Sequence, residues 1–318
     1  MKAAWLVVLA ALFCATAAAA QQPGWPSRPI RVIVPYAPGG STDNAARSFT
    51  ERLTAALGQQ VVIENRGGAS GVLGTEAVMR AAPDGYTFGV VPVATMTVLP
   101  AARAMPFDPF KDFAPVSKLF ENTLVFAVHP SVPAATMQEF VAYARQNPGK
   151  LSFASSGLGS MTQMTCEVVK FSAGIDMLHV PYRGGGEAVS DFLAGHVQVF
   201  CEGNILPHVK AGKARLLGVA DTTRHPDFPD VPTLREIWPD ADSVSWGGLF
   251  APAGTPEPVI RRMSEEVRRA AADPALARQM QPLALRPVGS TPEELAAELR
   301  RDHDRYGKLV KALDFRME

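Results

Sequence analysis

The stretch RVIVPYAPGGSTDNAARSF, which runs from Arg31 to Phe49, carries the fold prediction. The beginning of this stretch belongs to a nearly unbroken apolar run over Ile30–Tyr36. We assign this run to a strand that is covered on both faces. Gly39 and Gly40 follow, and apolar residues then recur at helical spacing until Gly58, a typical helix stop. The segment therefore predicts a strand, a glycine-rich loop and a helix in direct succession.

Strand and helix patterns continue to alternate through most of the chain. Further strands are predicted at Val61–Glu64, Tyr86–Val91, Leu124–Val128, Leu151–Ala154, Met177–Pro181, Val197–Cys201, Ala214–Ala220 and Ser243–Ala251. A connector rich in proline and aspartate, 224–242, precedes the last of these strands, and the tail is predicted to be helical at Pro256–Ala272, Pro274–Met280 and Thr291–Leu313. Such alternation favours an α/β fold with parallel, doubly wound sheets. Two sheets would make two lobes, with a cleft between the carboxyl ends of their strands.

The N-terminus has the three parts of a secretory signal peptide. A positive start at Lys2 precedes a short apolar core and an Ala-x-Ala end. The alternative is a membrane anchor, which needs roughly 20 apolar residues, and this core is shorter. We predict cleavage after about Ala20 and a periplasmic mature chain that is not inserted in the membrane. Removal of residues 1–20 leaves 318 − 20 = 298 residues, enough for two domains.

Composition limits the partners and the redox chemistry. The chain has 31 basic and 31 acidic residues and no basic block, which argues against nucleic acid as a partner. After signal removal the cysteines are Cys166 and Cys201. An even pair in an exported protein predicts a disulfide, with two separately buried thiols as the alternative. Closing a loop of this length would contribute roughly 3–4 kcal/mol of stability.

Four junctions between a strand and a helix are rich in glycine: 37–43, 65–71, 155–162 and 182–187. Glycine lets a backbone approach a ligand closely, and a helix start offers unpaired N–H groups and partial positive charge. A phosphate site of the P-loop type needs a lysine, which Gly39-Gly40-Ser41-Thr42 lacks. A carboxylate fits better. Loops from both lobes must then combine, because one helix end contributes only about 0.3–1 kcal/mol.

Several side chains near these loops leave alternatives open. Asp43 either caps its helix or meets an amine of the ligand. Arg66 and Arg183 either clamp a second carboxylate or are simply solvated. Tyr36 and Tyr182 either form walls of a pocket or fill the edge of the core.

The sequence offers little support for catalysis or for a metal site. The six histidines have no metal-ligand spacing, and no H-E-x-x-H motif is present. The segment Gly157-Leu158-Gly159-Ser160 departs from the G-x-S-x-G nucleophile elbow. His179 is assigned to a strand in the core, and Cys166 lies in a predicted helix without an evident base. We therefore expect no enzymatic activity, no cofactor and no metal.

Several motifs together resemble one known family. They are WPSRPIRVIVPYAPGGSTD, VVIENRGGASGVLGTEAV, APDGYTFGV, FKDFAPVS, VPYRGGGEAVSDFLAGHVQV, VPTLREI and WGGLFAPAGTP, and they cover nearly the whole mature chain in order. The chain resembles the tripartite tricarboxylate transporter substrate-binding proteins, also called the Bug family. The resemblance implies a two-lobed periplasmic binding protein of type II (Venus-flytrap), each lobe a doubly wound, mostly parallel sheet. It also implies a small carboxylate ligand: a di- or tricarboxylate, an acidic amino acid, or an aromatic or nicotinate-type acid.

The resemblance further implies which residues meet the ligand. In that family, loops of both lobes hold a carboxylate, mostly through backbone groups and ordered water. Carried over to this sequence, the candidate ligand-binding residues are Tyr36, Ala37, Gly39, Gly40, Ser41, Thr42, Asp43, Thr95 at a strand end, Ser155, Ser156, Ser160, Met161, Thr162, Tyr182, Gly184 and Glu202. The paired cysteines, Cys166 and Cys201, resemble the disulfide of a subgroup. Glu202 replaces the usual aspartate, and Leu158 and Met161 replace small polar residues, so these departures concern the far end of the ligand.

The combined prediction is a monomeric, two-lobed receptor. Lobe 1 comprises 21–120 and 248–318, and lobe 2 comprises 121–247, with hinge strands near Ser117–Val125 and Ser243–Leu249. The lobes would close over one carboxylate and deliver it to membrane transporter subunits or to a sensor protein. A receptor that acts only in signalling and a periplasmic enzyme acting on an organic acid are the alternatives.

Overall fold

A computed structural model of the chain describes residues 24–239, 241 and 243–315. The predicted signal peptide lies outside these residues. Each helix within them is too short or too polar to cross a bilayer.

The strands form two sheets. In chain order they are β1 (Ile30–Val34), β2 (Val61–Asn65), β3 (Thr87–Pro92), β4 (Phe113–Asn122), β5 (Val125–Val128), β6 (Ser152–Ser155), β7 (Leu178–Pro181), β8 (Val199–Phe200), β9 (Arg215–Val219), β10 (Ser245–Pro252) and β11 (Leu285–Pro287). The first sheet has the order β11-β4-β10-β3-β1-β2, and the second has the order β7-β6-β8-β5-β9. Apart from β11, the two sheets have equivalent topology. In the first sheet, β10 enters from the second sheet and lies between β3 and β4. In the second sheet, β5 enters from the first sheet and lies between β8 and β9.

The helices pack on these sheets. They are α1 (Ser41–Leu57), α2 (Val72–Met79), α3 (Val93–Met96), α4 (Val98–Ala102), α5 (Met137–Gln146), α6 (Met161–Ala173), α7 (Gly185–Leu193), α8 (Leu206–Lys210), α9 (Leu234–Ile237), α10 (Glu257–Ala271), α11 (Pro274–Met280) and α12 (Pro292–Ala312). Short 3₁₀ turns lie at Ala69–Gly71, Gly203–Ile205 and Gln281–Leu283.

The α/β fold is confirmed, and β1 and β6 each pair in parallel with both of their neighbours. Both sheets are mixed, because β10 runs antiparallel to β3 and β4, and β5 runs antiparallel to β8 and β9. The strands β1 to β4 nevertheless share one direction in the first sheet, as do β6 to β9 in the second. The physical reason for the exceptions is that β10 and β5 each enter from the other sheet and so run against their neighbours.

The chain passes between the sheets twice. The first sheet contains strands from 30–122 and 245–287, and the second contains strands from 125–219. Only Thr123 and Leu124 separate β4 from β5, whereas a long segment connects β9 to β10. The predicted lobe boundaries fall inside β4 and β10 and stay a prediction.

Three of the longer helices begin directly after strand ends. Helix α1 follows β1, α6 follows β6 and α7 follows β7. The Oγ of Ser160 caps α6 by accepting a hydrogen bond from the Gln163 N–H at 3.3 Å. Helices α1 and α7 instead begin after Gly40 and Gly184, which supply no capping side chain. The N–H groups at these two helix starts are therefore accessible to other acceptors.

Burial explains why α1 is held firmly against the first sheet. Its apolar side chains Phe49, Leu53 and Leu57 are buried, as the sequence pattern predicted. Burial of each such side chain contributes roughly 1.5–3 kcal/mol. Gly58 ends the helix in the left-handed conformation, with φ 66°. The start of α1 is thus fixed in place by packing further along the same helix.

The predicted disulfide is present. It joins Cys166 in α6 to Cys201 after β8, with the two Cα atoms 6.1 Å apart. The bond thus links α6, which follows β6, to Cys201, the residue immediately before Glu202. It therefore restrains two parts of the second lobe that the sequence had placed near the ligand.

Several short elements escaped the sequence analysis, namely α3, α4, α8, α9 and β11. Thr95, which was predicted at a strand end, lies in α3 just beyond β3. These elements have five residues or fewer, so they carry too few periodic positions to be recognised from hydrophobic spacing.

Candidate ligand-binding site

A cavity lies between the two sheets at the carboxyl ends of their parallel strands. Its lining residues are Tyr36, Ala37, Gly40, Ser41, Thr42, Pro92, Ala94, Phe120, Asn122, Ser156, Ser160, Met161, Thr162, Gly184, Gly185, Glu202, Ser245 and Trp246. The starts of α1, α6 and α7 all meet at this cavity. Most of the residues that the sequence nominated are brought together here.

The first lobe contributes the start of α1. Among the described residues, the main-chain N–H groups of Gly40, Ser41 and Thr42 have no protein hydrogen-bond acceptor. Gly40 has an extended backbone, and a Cβ built on it would meet no atom within 4 Å. The start of this helix thus offers several donors and partial positive charge to the cavity without a basic side chain.

The second lobe contributes the start of α6. The N–H groups of Met161 and Thr162 also have no acceptor within the described chain. The Thr162 hydroxyl lies 2.9 Å from the Oγ atoms of both Ser156 and Ser160. The N–H of Ser156 donates to that same Thr162 hydroxyl at 2.9 Å, so this amide is already used. This side of the cavity therefore combines free amides with a small cluster of hydroxyl groups.

The start of α7 faces a carboxyl group of the protein itself. Glu202 is 3 % exposed, and its Oε1 accepts a hydrogen bond from the Ser41 hydroxyl at 2.5 Å. Its Oε2 is buried without a hydrogen-bond partner in the described part of the chain. The carboxyl group lies against Gly185, where any Cβ would collide with it. The Ser41 bond joins the first-lobe loop to the second lobe across the cavity.

Burial controls the electrostatics of Glu202. It raises the pKa of the Glu202 carboxyl above its ordinary value, and the Ser41 hydroxyl opposes this increase. Among the described residues that line the cavity there is no lysine, arginine or histidine, and Glu202 is the one carboxyl group. An anionic ligand would therefore have to rely on amides and hydroxyls.

The floor of the cavity was missed by the sequence analysis. It includes Phe120 and Asn122 at the end of β4, and Ser245 and Trp246 at the start of β10. The Trp246 Nε1–H donates to Asp302 Oδ2 at 2.6 Å. The sequence did contain a signal for these floor residues. Both segments had been assigned as hinge strands, and strands that cross between lobes must pass beneath the cleft. Pro92 and Ala94 were also missed, whereas Gly185 belongs to the glycine-rich junction 182–187 that the sequence pointed to.

Asp43 and Gly39 do not line the cavity. The Asp43 carboxylate accepts hydrogen bonds from the Gly39 N–H at 2.9 Å, Arg47 Nε at 3.0 Å and Asn65 Nδ2 at 2.8 Å. Burial acts to raise the pKa of the Asp43 carboxyl, but the bonds from Arg47, Gly39 and Asn65 outweigh burial and lower it. Asp43 does not cap α1, because the cap position is Gly40 and no side chain caps it. The Asp43 carboxylate instead fixes the loop before α1 by accepting from the Gly39 N–H.

Ser155 and Tyr182 also lie outside the lining. The Ser155 hydroxyl is 2.6 Å from His179 Nε2 and donates to the Gly157 carbonyl at 3.1 Å. The Tyr182 hydroxyl donates to Asp191 Oδ2 at 2.7 Å, and burial together with Asp191 raises the Tyr182 pKa to about 12. Ser155 is therefore occupied inside the second lobe.

Tyr182 belongs instead to the outer part of the cleft. This region is also lined by Gly67, Ser70, Leu158 and Arg183. Leu158 thus lines this outer part of the cleft, whereas Met161 lines the cavity described above, which we call the inner cavity. Arg66, by contrast, pairs with Glu64.

Tyr36 forms a wall of the inner cavity, and Thr95 lies behind it. The Tyr36 hydroxyl donates to the Ser70 carbonyl at 3.3 Å. Burial raises the pKa of the Tyr36 hydroxyl, which the Thr95 hydroxyl partly offsets. Thr95 is fully buried and is not part of the lining, so any effect on a ligand would pass through Tyr36.

His179 differs from its assignment as a core residue. It lies on the edge strand β7, partly exposed, and stacks on Phe153 with ring centroids 4.8 Å apart. Burial and then the charge of Lys170 lower the pKa of His179 to about 4. No group of three or more histidine, cysteine, aspartate or glutamate side chains suited to a metal ion occurs among the described residues.

Comparison with known proteins identifies the family. The model of the tripartite tricarboxylate transporter family receptor matches residues 45–315. BugT of Bordetella pertussis is 32% identical over 317 residues, which cover 96% of each chain.

Solved structures agree with the sequence comparison. A protein described as a periplasmic transporter has a TM-score of 0.88 and 39% identity, over 92% of this chain and 100% of that chain. The MatC protein of Rhodopseudomonas palustris with bound malate has a TM-score of 0.84 and 32% identity, over 90% and 100% of the two chains. A second R. palustris protein, with adipate, has a TM-score of 0.86 and 29% identity, over 91% and 98%. The chain therefore belongs to the family of tripartite tricarboxylate transporter receptors, as its motifs predicted.

Proposed function

We propose that the protein is a periplasmic receptor that binds a small carboxylate between its lobes and delivers it to membrane transporter subunits. One observation carries the proposal: the starts of α1, α6 and α7 meet at one cavity, and the described residues that line it include no basic side chain. Such helix starts are suited to an anion, because their free N–H groups and dipoles point at it. Malate in MatC and adipate in the second relative are both carboxylates, which supports the same ligand class here.

The energetics require several donors to act together. Desolvation of a carboxylate costs several kcal/mol, whereas each charge-assisted hydrogen bond returns about 1.5–3 kcal/mol. Amides from the starts of α1 and α6 together provide at least four donors: Ser41, Thr42, Met161 and Thr162. A micromolar affinity, roughly −8 kcal/mol, is then within reach. Binding by one lobe alone would be much weaker, so the ligand would favour the closed arrangement.

A comparison of acids with their amides tests this proposal. The purified protein is melted in the presence of succinate, glutarate, adipate, malate, benzoate and nicotinate, and separately with the corresponding neutral amides. Saturation at about 100 times the Kd stabilises the folded state by about 2.7 kcal/mol, which raises the melting temperature by several degrees. We expect at least one acid, and none of the amides, to produce this shift. Equal shifts from an acid and its amide would contradict the proposal.

The enzymatic alternative is separated by what happens to the bound acid. A receptor binds one molecule per chain in isothermal titration and releases it unchanged after denaturation. Recovery of a chemically altered acid, or loss of the free acid with time, would favour catalysis instead. Delivery to membrane subunits is tested by uptake of the identified acid in cells that lack this chain and in cells to which it is restored.

A further inference from the structure

We propose that Glu202 selects ligands that carry, besides their carboxylate, an ammonium group that pairs with the Glu202 carboxylate. This inference deepens the proposed function and rests on it. It concerns the second functional group of the ligand, which the amides at the helix starts do not address.

The hydrogen bonding of the Glu202 carboxyl group is incomplete. The residue is 3 % exposed and lines the cavity, yet within the described chain its carboxyl group has one hydrogen bond, which Oε1 accepts from Ser41. Its Oε2 has no partner among the described residues. An ionised carboxylate can accept about four hydrogen bonds, and buried charges are normally paired or coordinated. A donor on the ligand would complete this group, whereas a second carboxylate has no hydrogen to donate.

The charge inside the cavity also favours a ligand that carries an ammonium group. No lysine, arginine or histidine of the described chain lines it, so a ligand that brings only carboxylates would add negative charge beside Glu202. A zwitterion avoids this repulsion, since its carboxylate faces the helix starts and its ammonium faces Glu202. A low-dielectric site favours such neutral pairing, because interactions between charges are strong there.

The fold maintains a place for this carboxyl group. Gly185 lies directly against Glu202, and any larger residue at 185 would collide with the carboxyl oxygen. Cys201 immediately precedes Glu202 and is held by the disulfide to Cys166 in α6. The start of α7 therefore faces the protein's own carboxyl group, and the starts of α1 and α6 are left for the carboxylate of the ligand.

Matched pairs of ligands test the inference at pH 7 by isothermal titration of the purified protein. The pairs are succinate with aspartate, glutarate with glutamate, pentanoate with 5-aminopentanoate, and 3-methylbenzoate with 3-(aminomethyl)benzoate. Each pair shares a carbon skeleton and differs by one amino group. We expect the amino member of at least one pair to bind ten-fold or more tightly than its partner.

The substitution Glu202→Gln should then abolish that preference. It keeps the shape of the side chain and removes the charge, so we expect the amino member to lose ten-fold or more in affinity while its partner changes little. Glu51→Gln on the exposed face of α1 is the matched control and should leave both affinities unchanged.

The outcomes separate this inference from the proposed function. If acids bind to wild-type protein but no amino member is preferred, the inference fails and the proposed function stands. This outcome does not depend on whether the Glu202→Gln variant folds. Retention of the amino preference in a folded Glu202→Gln variant would also overturn it. If no acid, with or without an amino group, binds at all, the proposed function fails and the inference fails with it.

Discussion

Two buried carboxyl groups, Asp43 in the first lobe and Glu202 in the second, illustrate how differently the two lobes use the same chemistry. Both are nearly inaccessible, at 2 % and 3 % exposure, and both lie close to a helix start. Asp43 accepts hydrogen bonds from Gly39, Arg47 and Asn65, and these bonds lower its pKa. Among the described residues the Glu202 carboxyl group has one hydrogen-bond partner, Ser41, and burial raises its pKa.

The contrast indicates which carboxyl group stabilises the fold and which is available for another role. A buried charge that is fully paired stabilises the loop around it, and breaking the pairing is costly. A buried carboxyl group with an unpaired oxygen lowers stability, and its partner is to be sought outside the protein. In this protein the first group lies outside the cavity lining and the second lies within it.

The largest expected effect sharpens the contrast between the lobes, because only the second contains a disulfide within the described residues. The double substitution Cys166→Ser and Cys201→Ser should lower the free energy of unfolding by roughly 3–4 kcal/mol, given the 35-residue separation. Urea denaturation with and without reductant measures the loss. Reductant should not affect the double variant. An unchanged midpoint for reduced wild-type protein would contradict the assignment of a bridge.

The second effect compares the two carboxyl groups directly. Asp43→Asn removes the charge that Arg47 and Gly39 bond to, so the free energy of unfolding at pH 7 should fall by about 2–3 kcal/mol. Glu202→Gln removes a poorly paired buried charge, so it should cost less than about 1 kcal/mol or stabilise the protein. Urea titrations of both variants beside wild type measure the difference. Equal losses would mean that the contrast in pairing has no energetic meaning.

The third effect concerns the cavity itself. Gly40→Val directs a side chain into open space at the start of α1, where a Cβ meets no protein atom within 4 Å and the backbone is already extended. We expect an acid that binds wild-type protein to bind at least ten-fold more weakly, a loss of about 1.4 kcal/mol or more, with little change in folding. Gly307→Val, which also meets no atom within 4 Å but lies in α12, is the control. Normal affinity in the Gly40 variant would remove the first-lobe loop from the site.

The smallest effect is the pH dependence of stability, and its sign differs between the two groups. The pKa of Asp43 is lowered from 3.8, so the stability it provides is present above that value and lost as the pH falls through the folded pKa. The pKa of Glu202 is raised from 4.5, so its contribution is present below that value and lost as the pH rises through the raised pKa. The free energy of unfolding is measured against pH for wild type, Asp43→Asn and Glu202→Gln. Subtracting the curve of each variant from that of wild type isolates the two contributions. Two difference curves that change in the same direction with pH would contradict the assigned environments.

The sequence was sufficient for the periodic elements and the glycine-rich loops. The apolar run before Pro35 and the stripe that contains Phe49 and Leu53 predicted β1 and α1, because burial on one side of a helix or on both sides of a strand leaves a recognisable spacing. The loops after β1, β6 and β7 were likewise located, and their residues supply much of the cavity.

The parts that were missed depend on contacts distant in sequence. The antiparallel directions of β5 and β10 follow from the crossings between sheets, which leave no periodic signal. Phe120 and Trp246 form the floor because two strands far apart in sequence pair there. Asp43 was ambiguous because its partners Asn65 and Arg47 decide its role, and only folding brings Asn65 to it.

Amide chemical shifts test the central claim most directly, namely that free main-chain N–H groups at helix starts hold the carboxylate. The acid that raises the melting temperature most is titrated into ¹⁵N-labelled protein. The account predicts large downfield proton shifts for the amides of Ser41, Thr42, Met161 and Thr162, which have no protein acceptor, and a much smaller shift for Gly39, which already donates to Asp43. Saturable binding of the acid without downfield shifts at the first four amides would contradict the account.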